Sequence, residues 1–349
     1  MFKVKNNDFR FLLSKKGKRL IYLRRKNVVL NMREFNSLWI IICLGTILAA
    51  CNRKPAKESE SKKEPVIVGK QELDAVRGIK YTEVKRRFSN GLSFDTTGFQ
   101  QEPSWIIQFK SPDTVMAYDP AQKIMQPFYL LHDHSSVYNF AKEWFRFKLI
   151  SKDSLVFQRL QVTKKEIADD IRSDVNMTFY SNEYIEKVLH TTAEKLQRPT
   201  AADSAFIRKL VIIANRNPGN RDSVFAGRKT AELIPKSDMI KVEVVSSVDP
   251  LIGRTKAYDY LYPQYRVRIS RAYKDFAYEF NVIADEKGKL RLSYFFTNLP
   301  EFRETRKKVL EGITDVYLQN LLKINPGSTL GLPHASEITV TVTGKKENK

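Results

Sequence analysis

Short apolar runs separated by turn formers dominate the chain from Val66 to about Val162. Ser104–Phe109, Thr114–Tyr118, Pro127–Leu131, Trp144–Ile150 and Leu155–Val162 are rich in aromatic and branched residues. Ser111-Pro112-Asp113, Asp119-Pro120 and Ser151-Lys152-Asp153-Ser154 punctuate them, the last as a hairpin turn. The pattern predicts an antiparallel, β-rich domain over 66–175, a small sheet or barrel. The period then lengthens. Ser181 or Asn182 caps a predicted helix with Tyr184, Ile185, Val188, Leu189 and Leu196 on one side, ended by Pro199. A second helix is expected over Asp203–Asn215 with Phe206, Leu210 and Ile213 inward, and Asn217-Pro218-Gly219-Asn220 stops it. Residues 176–235 therefore read as a helical segment.

The last third, 236–345, alternates again. Val267–Ile269, Phe276–Ala284 and Leu290–Phe296 read as strands, with a hairpin at Asp285–Lys289 in which Gly288 can take positive φ. Pro300 opens a predicted helix over Glu301–Leu322 with Phe302, Val309, Ile313, Val316 and Leu321 apolar. Asn325-Pro326-Gly327 breaks it, and Ile338–Val342 alternates as a terminal strand. The expected class is α+β, with an N-terminal antiparallel β-rich part, a helical middle and a C-terminal β-β-α-β layer.

The N-terminal region has a different grammar. An apolar run, Leu38–Ala50, ends in Leu48-Ala49-Ala50-Cys51 and is followed at once by Asn52-Arg53-Lys54-Pro55. The run is about 13 residues, too short to span a bilayer and the size of a signal-peptide core. The pattern resembles the lipobox of bacterial lipoproteins, whose cysteine becomes the lipidated mature N-terminus. Counted from Met1, the part before Cys51 exceeds the about 15–30 residues of a signal peptide; counted from Met32 it falls within them. Met32 is the expected start, and 1–50 an upstream extension plus signal. Residues 51–65 would then be the lipidated cysteine and a polar tether with no apolar side chain larger than alanine. The resemblance implies a membrane partner through Cys51. Asn52, where an aspartate would direct retention, implies the outer membrane, with the domain facing the periplasm.

The net charge of +21 falls when the basic residues of 1–50 are set aside but stays positive. Such a chain suits anionic lipid or envelope polymers. No nucleic-acid reading motif accompanies the charge, so nucleic acid is not an expected partner. Cys43 and Cys51 are the only cysteines, so the mature domain would have no disulfide, thiol nucleophile or thiolate ligand. No serine sits in a Gly-x-Ser-x-Gly elbow and the glycines form no phosphate loop. His132-Asp133-His134 is the one dense polar constellation. On a strand, His132 and His134 would share a face and could share a metal, but His190 and His334 are the only other histidines. No cofactor is expected.

The first strands resemble a lipocalin in outline. Strand, Asp-x-x-Gly-Lys turn, strand, helix, Asn-Pro-Gly break, Gly331-x-Pro333 and final strand, over roughly Phe276–Val342, are similar to the C-terminal domain of TonB-type energy transducers. The transmembrane anchor and proline-rich spacer of that family are absent, so only the module's shape is implied. It tilts Ile338, Val340 and Val342 towards pairing with an extended envelope peptide by strand addition. Tyr262, Tyr265, Arg266 and Arg268, from a segment rich in tyrosine and arginine, are the candidate side-chain contacts. The expectation is a lipid-anchored, non-enzymatic binding or scaffold protein of the cell envelope. The alternative is a metal-dependent or hydrolytic enzyme using His132, Asp133 and His134.

Overall fold

A computed structural model describes residues 69–169, 171–249 and 255–346; the lipobox, Cys51 and the tether lie outside them. A short helix, α1 (Lys70–Ala75), leads into eight strands: β1 (Lys80–Phe88), β2 (Ile106–Ser111), β3 (Thr114–Asp119), β4 (Ile124–Tyr129), β5 (Leu131–His132), β6 (Val137–Phe140), β7 (Glu143–Ile150) and β8 (Ser154–Leu160). A two-stranded finger, β9 (Val162–Thr163) with β10 (Glu166–Ile167), precedes β11 (Val175–Ser181). Nine of these strands form one antiparallel sheet in the order β4-β3-β2-β1-β11-β8-β7-β6-β5. Its two end strands, β4 and β5, are separated in sequence by Leu130 alone, so the sheet curls into a nearly closed barrel.

Alternation explains the closure. Along β11, Val175, Met177 and Phe179 point inward and are buried, while Asn176, Thr178 and Tyr180 are partly exposed. Phenylalanines fill the interior. Phe147 stacks on Phe157 with ring centres 4.2 Å apart and on Tyr138 at 4.4 Å, and Phe157 meets Phe179 at 5.1 Å. Trp105 packs edge-on to Phe140 and Phe145, both at 5.6 Å. Each buried ring contributes about 1.5–3 kcal/mol of transfer free energy. Charge is also taken into the wall: wholly buried Glu83 holds Arg86 through two hydrogen bonds of 2.6 and 2.7 Å and accepts from the backbone of Ser104 and Trp105.

The expected helical middle is not there, and the chain as a whole is mostly β rather than α+β. Beyond Ser181 only one π-helical turn forms, Tyr184–Val188, because His190 turns into positive φ (47°) and the branched pair Thr191-Thr192 follows. Thr192 caps a single turn, α2 (Ala193–Leu196), and only the second expected helix forms at length, as α3 (Ala201–Arg216). Thr200 and Asp203 form its capping box. Ile207 and Ala214 face inward, and Ile213, expected inside, is exposed.

After β12 (Glu232–Pro235) come β13 (Ile240–Val245), a short helix α4 (Ala257–Leu261), β14 (Gln264–Ala272), β15 (Phe276–Ala284) and β16 (Leu290–Tyr294). A 3₁₀ turn at Pro300–Phe302 starts α5 (Arg303–Gly312), which widens into a π segment, Ile313–Leu318, and ends in α6 (Gln319–Leu321). The wide turn shifts the apolar face: Leu310, Ile313 and Leu318 are buried, whereas Val316 and Phe302, expected on that face, are exposed. Short strands β17 (Leu322–Asn325), β18 (Ser328–Thr329) and β19 (Leu332–Pro333) lead to β20 (Ser336–Lys346). Strand β17 pairs with β12, and the five-stranded sheet runs β13-β14-β20-β15-β16.

The last strand is central. Strand β20 pairs parallel with β14 on one side and antiparallel with β15 on the other, and Ile338, Val340 and Val342 are buried beneath the helix. Its backbone groups are taken by two neighbours, which closes Ile338–Val342 to strand addition. A third apolar cluster ties α3 to the loop after β1 and to β15 of the five-stranded sheet, with Phe94, Ile207, Ala214, Phe225, Ile283 and Ala335.

Candidate functional site

A chemically mixed cleft opens where loops meet the start of β20. Its floor is Glu337, Ile338 and Thr339 of β20 with Asn281 of β15, and its volume is about 440 Å³. One wall is Tyr262-Pro263 at the end of α4; the other comprises Thr96, Thr97, Arg221, Asp222 and Val224–Ala226.

Local rules place each wall. Asn220 caps a 3₁₀ turn, Arg221–Ser223, by accepting from the Asp222 N–H at 3.0 Å, which presents Arg221 and Asp222 side by side. Gly98 lets the 94–100 loop lie against 224–226: it has φ of +92°, a side chain there would collide with the Ala226 carbonyl, and Ala226 N–H donates to Thr97 O at 2.9 Å. Helix α4 sends Tyr260 inward, where its hydroxyl accepts from Gln100 N–H at 3.1 Å under the Arg228 guanidinium, 4.2 Å from the ring centre. Burial raises the Tyr260 hydroxyl's pKa above the usual phenol value. Two residues on, Tyr262 turns outward with 59% of its surface exposed.

Charges in the cleft are graded. Arg221 pairs with Glu337 at 3.0 Å and lies over the Tyr294 ring at 5.0 Å, and Ser293 donates to the same carboxylate at 2.5 Å. The Asp222 carboxylate has no hydrogen-bond partner or ion pair among the described residues. Asn281 accepts from Thr339 at 3.3 Å, leaving its amide N–H groups for a visitor. An exposed ring beside a free carboxylate, an amide, threonine hydroxyls and an Arg–Glu pair suits a ligand with a flat apolar face and many hydroxyls.

The sequence-predicted contacts divide. Tyr262 and Ile338 line the cleft, Ile338 from below. Tyr265 is core, donating its hydroxyl to Ala231 O, and burial raises its pKa. Arg266 and Arg268 project from the open face of β14, where both share Glu243 at 3.1 and 3.3 Å. Val340 and Val342 point into the core. Arg221, Asp222, Asn281 and Glu337 were not anticipated. Arg221 and Glu337 lie 116 positions apart, and only the fold joins them.

His132 ends β5, and residues 133–136 turn, so the two imidazoles are not strand neighbours. His132 Nε2 meets the Ser135 carbonyl at 3.0 Å, and His134 Nδ1 meets Asp133 at 2.6 Å. Among the described residues no group of three histidine, cysteine or acidic side chains could hold a metal. His334 is buried instead: its ring stacks 3.8 Å from Phe225, its Nε2 is 3.0 Å from the Thr329 hydroxyl, and burial pushes its pKa down to about 4. Among the described residues no helix is long and apolar enough to cross a bilayer.

No family model matches the chain. No curated protein matches it either. Among solved structures, the bovine lipocalin allergen Bos d 2 is similar at 12% identity, covering 35% of this chain and 87% of that one, with a TM-score of 0.20. That superposition is too loose to carry any feature of the allergen to this chain.

Proposed function

We propose that this chain is a lipid-anchored protein of the bacterial cell envelope that binds a hydroxyl-rich glycan without transforming it. The binding part of the proposal rests on the cleft, where the open Tyr262 ring stands beside Asp222, Asn281 and the Arg221–Glu337 pair. Aromatic rings cover the apolar face of a sugar, and amides, carboxylates and arginine bond its hydroxyls. The envelope part rests on Leu48-Ala49-Ala50-Cys51 and the tether after it, with the outer membrane as the membrane and the periplasm as the side faced.

Calorimetric titration of the purified chain with N-acetylglucosamine oligomers tests the first part. Tyr262→Ala weakens binding by about tenfold, in the range of other lost aromatic contacts; Tyr273→Ala, at an exposed ring outside the cleft, leaves it unchanged. Equal affinity in both variants, or no binding by the parent, overturns the glycan reading. Shortened oligomers in the titrate would show a hydrolase instead. For the anchor, Cys51→Ala releases the chain from the membrane fraction; a variant that stays membrane-bound overturns it.

A further inference from the structure

A second cluster lies on the barrel's outer wall, on elements that take no part in the cleft. Strand β7 carries a bulge: Phe147 pairs with Phe157 and Leu149 with Val156, so Lys148 is the extra residue. A bulge re-aims the side chain it carries. Lys148 reaches Asn176 Oδ1 on β11 at 2.8 Å, while Arg146, two residues earlier, donates to Gln158 Oε1 on β8 at 3.3 Å. Both partners are neutral amides. Among the described residues neither cation has a carboxylate within ion-pair distance. The nearby acids hydrogen-bond other groups, Asp133 meeting His134 at 2.6 Å and Asp174 accepting from the Ser89 hydroxyl at 2.7 Å, so Asp174 acts on Lys148 only through space.

Arg146 and Lys148 line a groove of about 400 Å³ with His134, Ser135, Ser136, Val137 and Phe147. Ser135 sits in the β5–β6 turn at φ of 49°, adding a hydroxyl at the rim. Burial and then the neighbouring Arg146 lower the Lys148 pKa below the ordinary lysine value, and the more distant Asp174 carboxylate opposes them only in part. Two adjacent cations held by neutral amides, with a hydroxyl donor nearby, form the donor set that a phosphate recruits.

We propose that the Arg146–Lys148 groove binds a phosphate group, with Lys148 and Arg146 on its oxygens and Ser135 at its edge. Titration of the full chain with inorganic phosphate at constant ionic strength, followed by calorimetry, tests it. The parent binds one phosphate saturably, and Lys148→Gln weakens binding by about tenfold, the loss of one charge-assisted contact. Arg146→Gln does the same. Circular dichroism checks that both remain folded; should Arg146→Gln unfold, Lys148→Gln decides alone, because its exposed side chain bonds only Asn176. No saturable binding by the parent, or equal affinity in folded Lys148→Gln, overturns the proposal. Competition then identifies the source: displacement by phosphatidate vesicles and not by a sugar phosphate assigns a lipid headgroup, and the reverse assigns a soluble phosphoester.

Discussion

Replacing Asp203 with asparagine should cost about 3 kcal/mol at about pH 7, and the reasoning can be followed atom by atom. Asp203 is wholly buried at the start of α3. Burial by itself would raise its pKa, but four donors oppose this: Ser93 N–H at 2.8 Å, Thr200 N–H at 2.7 Å, the Thr200 hydroxyl at 2.8 Å and Arg87 Nη1 at 2.9 Å. The donors win, and the carboxyl falls from 3.8 to about 2. At about 1.4 kcal/mol per pH unit, that difference corresponds to about 2.5 kcal/mol of stability. Asparagine removes it and leaves Arg87 without its partner, a kind of loss that can reach about 3–5 kcal/mol. Because the folded pKa is depressed, the contribution is fully present above 3.8 and fades as pH falls towards 2. Urea unfolding, followed by the fluorescence of Trp105 and Trp144, measures both chains across that window. A difference below about 1 kcal/mol at neutral pH, or one that stays constant down to pH 2, would refute the account.

Other perturbations test other layers. Phe157→Ala empties a site whose ring touches Phe145, Phe147 and Phe179 and should cost about 3–5 kcal/mol by chemical denaturation. His334 is kept neutral by burial, so the fold loses stability as pH drops from 6.5 towards about 4, where the unfolded chain takes up a proton first. His334→Gln should flatten the melting temperature across that interval, and an unchanged slope would assign it to another group. Thr341→Pro falls in the middle of β20, opposite Arg266 and Glu279, and should abolish the folded circular dichroism spectrum. A folded Thr341→Pro chain would contradict the central placement of that strand.

Strands were legible wherever alternation ran unbroken. Phe276–Ala284, with the hairpin at Gly288, lies where periodicity put it, since one residue in two must face the core. Helix extent was harder. The apolar spacing through Tyr184–Leu196 fits a helix, yet His190 and two threonines interrupt it, and sequence spacing does not register a π turn such as Ile313–Leu318. Strand order was invisible. Nothing in Ile338–Val342 distinguishes an edge from a centre except that its other face carries threonines rather than charges, a hint that neighbours lie on both sides. The cleft was half-readable: Tyr262 stood out as an aromatic among arginines, but Arg221 and Glu337 meet only once β20 is in place.

That placement also sets a schedule. Strands β14 and β15 follow one another in the chain but do not pair; β20 lies between them. A polypeptide emerging from its amino end therefore makes both halves of this sheet long before the piece that joins them. Until Ser336–Lys346 arrives, the edges of β14 and β15 that β20 will cover stay open. Such edges invite association with other chains, so a holding factor would matter most in this interval. A premature stop before Ser336 would cost more than a strand: it would leave the sheet in two pieces with no template to unite them.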